Sequence, residues 1–196
     1  MKLDFIIVIV LHPNIFIGGN YVMNTPSHFL AKSTSNLYNE SGVENVNLTG
    51  LILARGGSKG IPLKNLALFK GKTLLHRAIL AMKEFGKFSS IWVSTDHVEI
   101  AKEAERSGVF VHWRAKETAT DSASSLLAVQ EFCGRKPGVS YIGLIQCTSP
   151  FLSPRIIKEA YSMIANGYDS VFTVTRDHKL RWKEMTSWWR NHTCKF

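Results

Sequence analysis

The chain has 196 residues, 45% hydrophobic and 20% charged, which predicts one folded domain and excludes a disordered or collagen-like chain. Its formal net charge of +9 favours anionic partners, but no run of five or six like charges marks a nucleic-acid arm, so no nucleic-acid partner is expected. The 3 cysteines, Cys133, Cys147 and Cys194, have neither metal-site spacing nor the even number of a disulfide framework.

In chain order, Met1-Lys2-Leu3-Asp4 leads into seven apolar residues, 5–11, which resemble the short core of a signal peptide. The alternative is an extra strand or an unstructured leader. Residues 5–11 are too few to span a bilayer, which takes about 20 apolar residues. Residues 15–17 form a second apolar patch, and Gly18-Gly19 after it suits a small-residue cleavage site. Residues 20–47 are polar and read as a linker. Three sequons, at Asn39, Asn47 and Asn191, give weak support to secretion.

From residue 51 strand and helix alternate. Strands are predicted at 51–54, 90–94, 109–112, 141–145 and 170–175. Helices are predicted at 73–85, 98–107, 122–133 and 154–166. In the first helix Leu74, Leu75, Ala78, Ile79, Met82 and Phe85 share one face. Gly86, Gly108 and Gly167 suit helix stops. Asp121 or Ser122 is the expected cap of the third helix, and Pro154 opens the fourth. The alternation predicts an α/β fold, a mostly parallel sheet with helices on both faces and a site beyond the strands' carboxyl ends.

The first strand empties into Arg55-Gly56-Gly57-Ser58-Lys59-Gly60, with Lys64-Asn65 a few residues on. Glycines let backbone N–H groups approach phosphate oxygens, and Arg55, Lys59 and Lys64 supply positive charge. Ser58 adds a hydroxyl donor and Asn65 an amide for ribose or phosphate; the other reading of Lys64 and Asn65 is that they begin the next segment. Two other phosphate loops are disfavoured. A P-loop ending in Gly71-Lys72-Thr73 would need a glycine where Leu66 stands, and a dinucleotide fingerprint would need one at Arg55. Asp96, at a strand end, reads as a helix cap more readily than as a metal ligand, and Cys147 as a space filler rather than a nucleophile. His97, His112 and His178 show no ligand spacing.

The block 53–60 with Lys64-Asn65 resembles the signature of the CMP-N-acylneuraminate cytidylyltransferases, a family with a Rossmann-like nucleotidyltransferase fold. Trp92-Val93-Ser94-Thr95-Asp96, Arg114 with Asp121-Ser122 and Ser125, Gln146-Cys147-Thr148-Ser149-Pro150 and Tyr168-Asp169-Ser170-Val171-Phe172 agree in order and spacing. The resemblance covers residues 48–182. It divides the chain into a leader and linker (1–47), a cytidylyltransferase-like domain (48–182) and an atypical tail (183–196).

The resemblance implies transfer of CMP from CTP to N-acylneuraminate with release of pyrophosphate. It implies Arg55 and Lys64 as catalytic residues. CTP and sugar would be bound by Arg55, Ser58, Lys59, Lys64, Asn65, Arg114, Ala123, Ser125 and Gln146, with cytosine at Arg114, Ala123 and Ser125. It implies Mg²⁺ on the nucleotide phosphates, but the family's downstream Asp-x-Asp ligands and catalytic Arg have no counterpart here. The chain is therefore expected to be truncated at its C-terminus, short of part of the segment that makes family members dimers or tetramers, and weak or inactive alone. The alternatives are a non-catalytic nucleotide-binding form and a cytidylyltransferase for another acidic sugar. The expected location is the secretory pathway, ending in the Golgi; the alternative is the nucleus, where many animal members of the family reside.

Overall fold

A computed structural model describes residues 8–11, 29–32, 46–168 and 170–173. The tail at 183–196 and the sequons at Asn39 and Asn191 lie outside the described residues.

The strands are β1 (Val8–Leu11), β2 (Phe29–Lys32), β3 (Leu48–Leu53), β4 (Leu68–Phe69), β5 (Lys72–Thr73), β6 (Ser90–Thr95), β7 (Phe110–Trp113), β8 (Tyr141–Ile145) and β9 (Ser170–Thr173). The helices are α1 (Leu74–Phe85), α2 (Val98–Arg106), α3 (Ser125–Arg135) and α4 (Pro154–Ala165). Short 3₁₀ turns cover Lys64–Leu66 and Lys116–Thr118. β4 and β5 pair as a small separate hairpin that the sequence did not reveal.

Among the described residues, seven strands form the main sheet in the order β2-β9-β1-β8-β3-β6-β7. β8, β3, β6 and β7 are parallel neighbours. β1 lies antiparallel between β8 and β9, and β2 lies antiparallel on the far side of β9. β9 therefore runs in the same direction as β8, and α4 carries the chain from one to the other across the position that β1 fills. Two strands thus come from residues 1–47, which the sequence placed outside the domain as leader and linker. Apolar character at 5–11 fits a strand or a signal core equally, and only pairing with distant strands separates the two.

Side chains alternate across the pleat, so each strand feeds two cores. Leu48, Ile52, Val93 and Ile145 pack with the buried faces of α1, α2 and α4. Leu51, Ile142 and Leu144 pack on the opposite face against Val129 and Phe132 of α3. Gly50 and Gly143 are register partners on β3 and β8. Phe88 lies so close that a Cβ at Gly143 would stand 2.6 Å from its ring, so this bare patch is what admits the aromatic side chain.

Local chemistry sets the helix ends. Thr73 Oγ1 accepts from His76 N–H at 3.0 Å, and Gly86 closes α1 at φ 74°. α3 starts three residues later than predicted. The Ser-rich run offers several caps, and Ser124 Oγ takes the role by accepting from Leu127 N–H at 3.1 Å. The carboxyl ends of the parallel strands lead into the loops at Arg55, Asp96, Arg114 and Gln146, which therefore share one edge of the sheet.

Candidate functional site

At that edge a cavity of about 200 Å³ is lined by Arg55, Ser58, Lys64, Asn65, Arg114, Ala123, Ser125 and Gln146, together with Thr118, Thr120, Ser124 and Thr148. All but one of the candidate residues therefore share one space. The exception, Lys59, lines an adjoining cleft with Gly56, Gly57, His97 and Asp121, and Ser58 lines both.

The glycine loop is held from below. Gly56 N–H donates to Asp96 Oδ1 at 2.7 Å. A Cβ at Gly56 would meet His97 Cβ at 2.7 Å, so only glycine lets the loop sit this low. Asp96 was expected to cap α2, but His97 does so, its ring nitrogen accepting from Glu99 N–H at 3.2 Å, and Asp96 is left to anchor the loop. Asn65 is buried, and its Nδ2 donates to the Arg55 carbonyl at 3.1 Å, which fixes the backbone at the start of the loop. Lys64 and Asn65 also begin the 3₁₀ turn, as the structural reading of this pair expected.

The cations of the loop already have an anionic partner. Asp121 pairs with Arg55 Nη1 through one oxygen and with Lys59 Nζ at 2.8 Å through the other. Hydrogen bonds from Lys59 and Arg55 hold this carboxyl below its usual range. Its sequence role as a helix cap is not the one the structure shows.

Arg114 is buried rather than on the surface. Its Nε donates to Ser94 Oγ at 3.1 Å and its Nη2 to the Ser94 carbonyl at 2.9 Å. Burial lowers its pKa, while Asp96 and Glu131 pull it back up. Ser124 belongs to the α3 cap, and Ser125, in the first turn, has no such duty. Ala123 N–H donates to Thr120 Oγ1 at 3.1 Å.

No sequence motif singles out Glu131. On α3 it looks like an ordinary charge spaced four residues from Arg135. In the fold it accepts from Ala115 N–H at 2.8 Å and from Thr118 Oγ1, and so holds the segment between Arg114 and Thr118 against the helix. Cys147 is 3% exposed, and burial pushes its thiol up to about 12, so it packs as a thiol and is no nucleophile at neutral pH.

Among the described residues no three His, Cys, Asp or Glu side chains stand close enough to hold a metal ion. The carboxylates nearest the loop, Asp96 and Asp121, are engaged by Gly56 N–H and by Arg55 and Lys59. The described residues thus hold no preformed three-ligand metal site.

This loop and cavity match a known sequence pattern, since the profile described as "Cytidylyltransferase" fits residues 49–186. The chain belongs to the cytidylyltransferase family. N-acylneuraminate cytidylyltransferase A of Danio rerio is 50% identical over 139 residues, covering 70% of this chain and 32% of the relative. N-acylneuraminate cytidylyltransferase of Oncorhynchus mykiss is 48% identical over 143 residues, covering 72% of this chain and 33% of the relative. The chain thus spans about a third of the length of these relatives. In structure, this cytidylyltransferase-family chain resembles a CMP:2-keto-3-deoxy-manno-octonic acid synthetase complexed with CTP. The TM-score is 0.54 and the identity 18%, with 61% of this chain and 47% of that one covered, a likeness of fold alone.

Proposed function

We propose that the chain carries the CTP-binding part of an N-acylneuraminate cytidylyltransferase site. In the reaction, the anomeric hydroxyl of N-acylneuraminate attacks the α-phosphorus of CTP. A new phosphorus–oxygen bond forms and the bond to the β-phosphate breaks. Pyrophosphate leaves with the bonding pair, and the hydroxyl proton passes to solvent. Positioning and charge stabilisation supply most of the catalysis in such transfers.

The observation that carries this reading is the meeting of Arg55, Lys64, Arg114 and Ser125 around one cavity. Arg55 and Lys64, with Lys59 in the adjoining cleft, suit the phosphates and the departing pyrophosphate. The Arg114, Ala123 and Ser125 side suits a base, with the Ser125 hydroxyl free of the helix cap. Gln146, at the end of β8, suits the sugar-nucleotide region. The likeness to the two fish enzymes supports N-acylneuraminate as acceptor. Mg²⁺ on the nucleotide phosphates is what the family resemblance implies. Self-association into a dimer or tetramer is likewise a proposal from the family.

Calorimetry with CTP, UTP, ATP and GTP tests the reading. CTP is expected to bind best, and Arg55→Ala and Lys64→Ala to weaken it at least about tenfold, as lost charge-assisted contacts of about 1.5–3 kcal/mol imply. Equal affinity for all four nucleotides would remove the cytosine pocket. Unchanged affinity in both variants would remove the phosphate assignment.

A further inference from the structure

Arg114 reaches the cavity from a buried polar chain whose other members, Ser94 and His112, have no role in the proposed reaction. Ser94 on β6 and His112 on β7 are register partners, and Arg114 follows two residues after His112. Ser94 is 0% exposed, His112 4% and Arg114 8%. Ser94 Oγ stands 3.1 Å from Arg114 Nε and 3.0 Å from His112 Nδ1.

A guanidinium nitrogen only donates, so Ser94 Oγ accepts from Arg114. The hydroxyl still has one proton to give, and His112 Nδ1, 3.0 Å away, is the side-chain acceptor the structure places beside it. The ring that receives this proton is neutral, with its own proton on Nε2. Nε2 has no hydrogen-bond partner among the described residues, and the ring stands edge to face with Phe132, centroids 5.3 Å apart. Burial lowers the pKa of this imidazole, Glu131 on α3 raises it, and Arg135, Arg114 and Lys136 lower it further.

We propose that His112 is a positioning residue for nucleotide recognition: by taking the Ser94 hydroxyl proton it keeps Ser94 turned to hold the Arg114 guanidinium at the cavity wall. This rests on the assignment of Arg114 to the base pocket. A protonated His112 has donors on both ring nitrogens. Ser94 Oγ would then face two donors, and a second positive charge would sit beside the buried guanidinium. The hold on Arg114 through Ser94 Oγ is weakened with that proton, while the bond from Nη2 to the Ser94 carbonyl remains. The folded pKa lies below the ordinary histidine value of about 6.5, so base recognition is complete above that range and falls as the pH drops through the lowered value.

The test is calorimetry of CTP and of pyrophosphate on the full chain between about pH 7.5 and pH 5, the window in which histidine titrates. His112→Asn offers a non-titrating acceptor in place of Nδ1. His112→Phe keeps a ring and removes the acceptor. The wild type is expected to lose about tenfold more CTP affinity than His112→Asn over this range, with pyrophosphate affinity changing alike in both. His112→Phe is expected to bind CTP weakly at every pH. Parallel CTP profiles for wild type and His112→Asn overturn the proposal, and this comparison decides it even if His112→Phe fails to fold. Wild-type CTP binding by His112→Phe, beside weakened binding by Arg114→Ala, overturns it while leaving the base pocket standing. Wild-type CTP affinity in Arg114→Ala overturns the base-pocket reading and this proposal together.

Discussion

Asp121 occupies the cations that the proposed reaction needs. Its two oxygens lie on Arg55 and Lys59, much as two phosphate oxygens would. A triphosphate must displace this carboxylate to reach both side chains. Asp121→Asn is therefore expected to bind pyrophosphate and CTP several-fold more tightly, read by calorimetry at fixed salt; an affinity equal to that of the wild type would show that Asp121 does not compete. The carboxyl is held below its usual range, so the contact persists through mildly acid pH and is lost only as the pH falls through that lowered value. The cavity residues at Arg55 and Gln146 were legible in the sequence because the blocks that carry the resemblance end strands there, and parallel strands deliver their ends to one edge; Thr118 and Thr120 were not. Nor was Asp121, because its partners, Arg55 66 positions away and Lys59 in the same distant loop, are far from it in sequence, and local pattern points only to a helix cap.

At the scale of elements, every α-helix among the described residues and five strands of the main sheet, β3, β6, β7, β8 and β9, were legible from periodicity, caps and glycine stops. The ends were less so, as α3 shows, because neighbouring serines compete to cap the same turn. What no periodicity shows is how α3 grips the loop beside it. Glu131 joins the helix to Ala115 and Thr118, and Thr118 lines the cavity. Burial opposes its ionisation, but the Thr118 hydroxyl and the Ala115 N–H hold its pKa below the ordinary value of 4.5. Its stabilising contribution is thus present above the unfolded carboxyl range and fades as the pH falls through the folded value. Glu131→Gln should cost about 1–3 kcal/mol, as for hydrogen bonds to a charged group. Urea unfolding near neutral pH reads this loss, and CTP affinity should fall with it as the 115–118 segment loosens. If the midpoint stays put, Glu131 is no more than a surface ion pair with Arg135.

Over the whole molecule, the decisive feature is a strand from the first residues of the chain lodged inside the sheet. β1 pairs through Val8, Ile9, Val10 and Leu11 with Ile145 to Ile142 of β8, and through Ile9, Val10 and Leu11 with Phe172 to Ser170 of β9. A strand with a neighbour on each side has no solvent-facing N–H, so proline there breaks a ladder bond wherever it falls. Val10→Pro is expected to lower stability by about 1–3 kcal/mol through the carbonyl left unpaired. The same apolar run is the basis for our proposal that the protein enters the secretory pathway, and the two uses are compatible only while the segment stays attached. Cleavage at Gly18-Gly19 would remove β1 and leave β8 and β9 each with an unpaired edge, a surface that invites association with other chains. We therefore expect the protein isolated from cells to retain Val8–Leu11, as mass spectrometry of its N-terminal peptides would show. We also expect a chain shortened to begin at residue 20 to melt at lower temperature and to aggregate. A natural protein that begins after Gly19 and matches the full chain in melting temperature would show that β1 is dispensable to the sheet.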